Sequence, residues 1–486
     1  MLDILLIPIK AMRLRYVPLL LVYFAYGSSV FTAIAANFWV KDSLDMSAAD
    51  LAELGIWLMV PWTVKMIFGS LVDSVLIFGS NRKSYVYIGA LLITISSLMM
   101  IAVVGDYPIV AEFSKKSVYI FASVIAVVGF VMQDVVADTM STEVVDKSQS
   151  KEEIHQELAS IQVLARLSLG LAIFVTGWIG GELADVFKDE RETVFIIALF
   201  IPLLSILGVG LVRLNPVPVS EINKQVLFGG LIFAVFVVIM GYAQVPYSQE
   251  IVFVVSLGIV LYLLNDLISD LNEDVIRHIK MAMIVIFIYR AMPSVGAGLQ
   301  WWQIDVLGFD ESFFAKLSAI GGGIALAGMW LSTKFIVKRN IGEVLIFLTI
   351  IGTLLSLPIV AMYYDVHTLL GVEARTVALV DTALASPFDY IAQVLMLTLV
   401  AIYAPEGKKG TWFALMASLM NIALSAGGLL TKYLNKIFVV SREVVTDGVV
   451  TVTQDYSQLG DLLWVVVVSS FVIPIIVIVK YNPNKV

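Results

Sequence analysis

The segment Gly69-Ser70-Leu71-Val72-Asp73 ends one long apolar stretch of this 486-residue chain, and the basic pair Arg82-Lys83 precedes the next. The flanking stretches, residues 48–71 and 84–104, can each cross a bilayer core, which needs roughly 20 apolar residues as a helix. A glycine lets membrane helices approach closely, and an acid and bases can cap helix ends and pair across a short loop. The segment therefore predicts two membrane helices joined by a polar gate of Gly69, Asp73, Arg82 and Lys83.

The composition places the rest of the chain in the membrane as well. Hydrophobic residues make up 59% of the sequence and charged residues 14%, and the mean hydropathy is +0.93. A water-exposed globular fold is excluded by these values. The net charge of -8 argues against a nucleic-acid partner, and the absence of cysteine excludes disulfides and thiolate sites.

Apolar windows predict an all-α polytopic protein with about fourteen transmembrane helices. They form a bundle of six within residues 1–216, an inserted pair within 217–279, and a second bundle of six within 280–486. The predicted helices are 17–40, 48–71, 84–104, 117–140, 157–179, 193–213, 225–243, 250–268, 281–303, 312–335, 343–363, 376–403, 411–437 and 460–481.

The basic residues orient these helices. Lys10, Arg13 and Arg15 precede the first apolar run, which is too long for a secretory signal and is read as a retained helix. Loops on the same side as both termini carry more Lys and Arg than the opposite loops, which predicts cytoplasmic termini. We expect a monomer in the bacterial inner membrane, and the gate then faces the cytoplasm.

The two groups of six helices echo each other in sequence. Gly27-Ser28-Ser29-Val30 in the first helix corresponds to Pro293-Ser294-Val295-Gly296 in the ninth, and an aromatic and amide segment follows in each. Internal repeats of this kind are typical of secondary transporters. The middle pair of helices then reads as an insertion between two related halves.

Charged residues deep inside the apolar helices are candidates for function, because a charge in hydrocarbon costs a few kcal/mol. In one interpretation the cations attract an anionic substrate and a buried carboxylate carries a coupling proton. In the other, these residues form ion pairs that lock helices together, for example Lys65 with Asp134. The cations are Lys65, Arg166 and Arg290, and the carboxylates are Asp134, Asp138, Asp381 and Asp389.

Aromatic and amide side chains supply a second set of candidates. Trp301, Trp302 and Gln303, with Asn37 of the first helix, would suit a planar heterocycle, although their place near a helix end favours an aromatic belt at the membrane surface. No nucleotide-binding P-loop, His-Glu-x-x-His helix or Gly-x-Ser-x-Gly elbow occurs, so no enzyme is expected. The sequence predicts neither a metal site nor a cofactor.

Several segments together resemble the folate-biopterin transporter family, a branch of the major facilitator superfamily. They occur in both halves of the chain, and the proline-tryptophan, buried lysine, glycine and aspartate follow in the family's order. The matching residues are Pro61-Trp62-Thr63-Val64-Lys65, Gly69, Asp73, Ile77-Phe78-Gly79, Arg82-Lys83, Tyr85, Val22-Tyr23-Phe24, Gly27, Lys41-Asp42, Asp134, Asp138, Glu143, Pro293-Ser294, Leu307-Gly308-Phe309, Thr411 and Phe413-Ala414-Leu415.

The resemblance implies a twelve-helix core and uptake of folates or pterins, often linked to protons. It places Lys65, Asp73, Asp134, Asp138 and Arg82 at the family's charged positions. The chain departs from the family's pattern at Met66, Leu76, Val295-Gly296 and Lys409, and in its inserted helix pair.

We expect a secondary transporter of a small anionic solute, in which two bundles alternate access to a cavity lined by Arg166 and Arg290. A permease for muropeptides or acetyl-coenzyme A and a non-transporting membrane scaffold are the alternatives.

Overall fold

A computed structural model describes residues 12–63, 65–80, 82–144, 151–212, 232–233, 235–237, 239–240, 245–332, 341–403, 409–446 and 449–481. Its helices are α1 (Val17–Gly27), α2 (Ala33–Ser43), α3 (Ala48–Thr63), α4 (Lys65–Ser74), α5 (Lys83–Val104), α6 (Lys115–Glu143), α7 (Lys151–Val186), α8 (Glu192–Ile197), α9 (Phe200–Leu211), α10 (Ser248–Ile268), α11 (Glu273–Arg290), α12 (Ala297–Asp305), α13 (Glu311–Ser332), α14 (Ile341–Tyr363), α15 (Val366–Leu369), α16 (Ala374–Ile402), α17 (Lys409–Ile437) and α18 (Leu459–Lys480). Three 3₁₀ turns (Leu14–Tyr16, Ser28–Thr32 and Pro108–Val110) and two strands, β1 (Val444–Thr446) and β2 (Val449–Val452), complete the described elements.

Long apolar helices dominate the described residues, and the predicted all-α membrane fold is confirmed. Ten helical runs in this part of the chain are long and apolar enough to cross a bilayer. The backbone groups of a membrane helix form hydrogen bonds within the helix, and lipid hydrocarbon offers them no other partners. The predicted helix 225–243 lies mostly outside the described residues.

The chain forms two compact units. Unit 1 comprises Met1–Leu44, Val64–Phe233 and Phe314–Gly322, and unit 2 comprises Asp45–Thr63, Ala234–Phe313 and Gly323–Val486. Unit 2 therefore includes α3, although α3 lies early in the sequence, and unit 1 includes a short part of α13. The predicted division at 1–216, 217–279 and 280–486 stays a prediction.

The predicted single helix 281–303 is wrong, because the chain leaves the helical conformation in its middle. α11 ends at Arg290 and α12 begins at Ala297, with irregular backbone between them. Pro293 has no N–H to donate, and Gly296 has a φ of +82°, which side chains with a Cβ rarely adopt. The stretch is apolar throughout, so hydropathy does not reveal the interruption, whereas Pro293 and Gly296 indicate it.

Side chains of α17 satisfy the backbone that this interruption frees. The Ser294 N–H donates to Thr431 Oγ1 at 2.9 Å, and Asn435 Nδ2 donates to the Val295 carbonyl at 3.0 Å. The corresponding stretch of the first helix, Ser28–Thr32, is a 3₁₀ turn between α1 and α2. The two segments that echo each other in sequence are thus the two places where these helices lose α geometry.

A β-hairpin follows α17 and was not predicted. β1 and β2 pair antiparallel, with Thr446 opposite Val449 and Val444 opposite Val452. Val-Val-Thr and Val-Val-Thr-Val flank Asp447-Gly448, a dipeptide that favours hairpin turns. The hairpin lies in the loop between the last two long helices.

Small residues let α7 pack closely inside unit 1. A Cβ at Gly180 would overlap the carbonyl oxygen of Phe31, and a Cβ at Gly27 would lie 2.5 Å from the Leu169 carbonyl oxygen. Helices in membranes associate through close packing at glycine and alanine. The close approach at Gly180 is therefore required where α7 crosses the 3₁₀ turn.

We predict that Gly180→Ala lowers the apparent unfolding temperature of the detergent-solubilised protein. The added methyl group meets backbone rather than a movable side chain, and overpacking of this kind costs about 1–3 kcal/mol. Gly352→Ala in α14 is the matched control, since a Cβ there meets nothing within 4 Å. Equal unfolding temperatures for the two variants would contradict this packing.

Candidate functional site

A charge cluster lies where α4 and α6 meet in unit 1. Asp134 and Asp138 are one helical turn apart on α6, so their carboxylates share a face. Lys65, the first residue of α4, places its Nζ 2.5 Å from Asp134 Oδ2 and 3.1 Å from Asp138 Oδ2. One ammonium thus bridges both carboxylates, and the predicted pairing of Lys65 with Asp134 is present.

Two further helices contribute side chains to this cluster. The Tyr23 hydroxyl of α1 donates to Asp138 Oδ1 at 3.0 Å. Arg166 of α7 places Nη2 4.0 Å from the same oxygen, which is too far for a hydrogen bond. Arg166 is therefore the more weakly held of the two cations.

Burial differs sharply among the four charged groups. The Asp134 side chain is 7% exposed and that of Arg166 is 53% exposed. With Lys65, Arg166, Asp134 and Asp138 all ionised, the formal charges cancel, as an apolar environment requires. An anion that reaches Arg166 would add one uncompensated negative charge, and a proton on either aspartate would compensate it.

The predicted gate residues lie in α4 and at the start of α5. Arg82 is buried and contacts the Glu143 carboxylate through Nη2 at 2.8 Å, while its Nη1 donates to the Val72 carbonyl at 2.5 Å. Lys83 Nζ donates to the Gly210 carbonyl at 3.3 Å. Gly69 lies in α4 beside Val135, and the side chain of Asp73 lies outside the described residues.

Unit 2 holds the predicted candidates Arg290 and Asp381 on α11 and α16, two helices that contact each other. Arg290 Nε and Asp381 Oδ1 are both buried, and neither has a hydrogen-bond partner within the described residues. Buried polar atoms are normally paired, so each of these groups is suited to a ligand. The side chain of Asp389, predicted with Asp381, lies outside the described residues.

The aromatic candidates are packed into the core of unit 2. Trp301 and Trp302 are 3% and 4% exposed and belong to an apolar cluster with residues of α14 and α18. Arg442 lies over the Trp301 ring at 5.2 Å. Gln303 is half-buried on α12, and Asn37 is exposed on α2. This packing gives the tryptophans a structural role, and substrate contact by these four residues stays a prediction.

Sequence reasoning did not assign functional roles to several residues that complete these clusters. Tyr23 and Glu143 stand out in the sequence only as matches to the family, yet each contacts a predicted site residue. Lys432 was not singled out, although it is buried and pairs with carboxylates of two other helices. Its place inside an apolar helix, like that of Lys65, was the available signal.

A protein-family comparison accounts for nearly the whole chain. The model of the BT1 family matches residues 27–482. The chain belongs to the BT1 family. This confirms the resemblance to folate-biopterin transporters and makes the chain a multi-pass membrane transporter by family.

Curated relatives of this BT1 member carry transporter names. It is 24% identical over 425 residues to a protein named folate-biopterin transporter from Synechocystis sp., covering 86% of this chain and 74% of that protein. It is 22% identical over 442 residues to the probable folate-biopterin transporter 4 of Arabidopsis thaliana, covering 84% and 86%. Folate transporter 1 of Plasmodium falciparum is 19% identical over 409 residues, covering 84% and 70%.

Solved structures confirm the transporter fold of this BT1 protein. A POT family transporter in complex with a thioalcohol-conjugated peptide superposes with a TM-score of 0.66 at 12% identity, covering 98% of this chain and 100% of that one. A second, in complex with 5-aminolevulinic acid, gives 0.65 at 12% identity and covers 97% and 96%. At such identities the likeness concerns the fold alone.

We predict that Lys65→Met lowers the thermal stability of the purified protein, and that adding Asp134→Asn restores part of the loss. Removing one partner from a buried ion pair costs about 3–5 kcal/mol, because the remaining charge is left without compensation. The control is Lys115→Met, whose exposed pair with Asp106 at 2.6 Å is worth about 1 kcal/mol at most. If Lys65→Met cost no more than Lys115→Met, the cluster would not be an effectively buried ion pair.

Proposed function

We propose that this protein is a secondary transporter that moves a folate or pterin across the membrane by alternating access, coupled to a proton. The charge cluster of Lys65, Asp134, Asp138 and Arg166 is the observation that carries the proposal. The names of the curated relatives support the substrate class.

Arg166 binds a carboxylate when the substrate is a folate. Folates carry carboxylates on their glutamate tail, and a guanidinium can hold a carboxylate through two parallel hydrogen bonds. The side chain is half exposed and only loosely engaged by Asp138, so an incoming anion displaces little. Lys65, bound by two carboxylates, is less available.

The proton compensates the charge that the substrate brings. A substrate carboxylate and a proton enter the balanced cluster together at less cost than either alone, because a net charge in a poorly solvated site is unfavourable. Asp134, the more buried aspartate, is assigned to carry this proton. When it is neutral, Lys65 retains Asp138 as its counter-ion at 3.1 Å.

Arg290 and Asp381 are second candidates for substrate and proton in unit 2, because Arg290 Nε and Asp381 Oδ1 are buried without a hydrogen-bond partner in the part of the chain that the structure describes. The protein is placed in a bacterial inner membrane with both termini in the cytoplasm. The asymmetry of basic residues between the loops and the relative from Synechocystis sp. support that placement.

We predict that Arg166→Gln raises the half-saturation constant for folate uptake into proteoliposomes by about tenfold or more, since losing a charged hydrogen bond costs about 1.5–3 kcal/mol. Arg277→Gln, which changes an exposed arginine of α11 paired with Asp274, is the control and keeps the wild-type constant. Muropeptides and acetyl-coenzyme A are tested as competitors in the same assay. Unchanged affinity in Arg166→Gln would overturn the role of Arg166. No folate uptake by the wild-type protein, or tighter binding of those competitors than of folate, would overturn the substrate assignment.

We predict that Asp134→Asn abolishes folate accumulation driven by a pH gradient but retains exchange of labelled for unlabelled folate. Exchange needs no net proton movement, whereas accumulation does. The measurement compares both modes in the same proteoliposomes, with wild-type protein beside the variant. Gradient-driven accumulation at the wild-type level in Asp134→Asn would exclude Asp134 as the proton carrier.

A further inference from the structure

Lys432 of α17 is a buried ammonium in unit 2 with partners on two other helices. Lys432 as a whole is 3% exposed. Nζ lies 2.8 Å from Gln249 Oε1 and 2.9 Å from Glu250 Oε1, both on α10, and 3.7 Å from Glu53 Oε2 on α3. One cation therefore connects α17 with α10, a helix of the predicted insertion, and with α3.

The two carboxylates hold this ammonium unequally. Glu250 accepts hydrogen bonds from Lys432 and from the adjacent Tyr433 hydroxyl at 2.6 Å, so it is fixed to α17 twice. Glu53 lies beyond hydrogen-bond distance of Nζ and accepts a hydrogen bond from Gln249 Nε2. Lys432 is therefore held tightly by Glu250 of α10 and loosely by Glu53 of α3.

The three helices form one packed interface beneath these charges. The cavity among them, lined by Ile56 and Trp57 of α3, Val252 of α10 and Ile422 of α17, has a volume of only about 10 Å³, enough for one water molecule at most. Asn421 Nδ2 also donates to the Trp62 carbonyl of α3 at 3.1 Å. Lys432 is therefore a buried charge at a closely packed interface.

Separation of α3 from α17 would remove Glu53 from Lys432. A buried ammonium left without a carboxylate is costly, because hydrocarbon and apolar side chains do not solvate it. Glu250 avoids the cost of an unpaired ammonium, because its contacts with Lys432 and Tyr433 do not depend on Glu53. The net charge of the lysine and the two glutamates is negative, so one carboxylate can leave without exposing a bare cation.

We propose that α10 supplies Glu250 as the permanent counter-ion of Lys432, which allows Glu53 and α3 to separate from α17 during the transport cycle. Glu53 is the releasable partner and stabilises the closed interface. This inference rests on the alternating-access part of the proposed function. It assigns α10 a role as a positioning element for the moving interface, independent of any substrate contact.

The absence of cysteine in the natural chain allows a direct test with one introduced thiol. Ile56 is 3% exposed on α3, and a Cβ at Gly428 of α17 would lie 3.0 Å from its Cγ1. In Ile56→Cys protein, the rate of alkylation by N-ethylmaleimide therefore reports how often α3 leaves α17. Ala90→Cys, fully buried on α5 of unit 1, reports opening that does not involve α3.

The two glutamate variants should change this rate in opposite directions. We expect Glu53→Gln to accelerate alkylation of Ile56→Cys by about tenfold, the change that 1.4 kcal/mol produces, because the closed interface loses a carboxylate. We expect Glu250→Gln to slow it by a similar factor, because Glu53 then becomes the last counter-ion of Lys432 and is retained. The rate at Ala90→Cys should stay constant in both.

A change in the same direction for both variants, or no change with Glu250→Gln, would overturn the proposal, since a merely structural ion cluster loosens whichever partner is removed. Lys432→Met provides a second check, because without the ammonium Glu250→Gln should alter the rate less than about twofold. If the two glutamate variants changed the alkylation rate in opposite directions but the protein transported neither folate nor pterin, the role of Glu250 would be supported and the proposed substrate overturned. If the protein took up folate but both variants changed the alkylation rate in the same direction, the proposed substrate would stand and the role of Glu250 would be overturned.

Discussion

A charge inside the hydrocarbon region must have a partner in the protein, because lipid offers none. Lys65 between two aspartates of α6 and Lys432 between glutamates of α3 and α10 meet this requirement in units 1 and 2. Each pairing fixes which helices lie side by side, since an ammonium reaches a carboxylate only across a direct helix contact. The charges therefore specify neighbours that apolar packing alone leaves interchangeable.

The same constraint governs the backbone where helices are interrupted. Between α11 and α12, Thr431 and Asn435 of α17 replace the hydrogen bonds that the helix would have made. Such an interruption is tolerated only where it is buried in protein or lines a water-filled cavity, and not where it faces lipid. It lies next to Arg290, whose Nε has no partner among the described residues, so the unwound segment and an available cation occur together in unit 2.

Hydropathy was sufficient to predict the long helices because one physical property, the length of an apolar run, decides them. It failed between Arg290 and Ala297, where the run stays apolar while Pro293 and Gly296 break the helix. The deep charges could likewise be identified from their positions, but their partners could not. Asp134 lies 69 residues from Lys65, and Glu250 lies 182 residues from Lys432, and only the packing of the helices brings them together.

The two lysine clusters differ in charge balance, and that difference separates their possible roles. Two cations and two carboxylates cancel around Lys65, so an anion that reached the exposed Arg166 would add one uncompensated negative charge. Around Lys432, one cation has two carboxylates, so one of them can depart without leaving the ammonium bare. A balanced cluster with one loosely held cation is suited to binding a ligand. A cluster with a surplus carboxylate is suited to an interface whose helices separate, because the buried ammonium keeps a carboxylate partner whether the interface is closed or open.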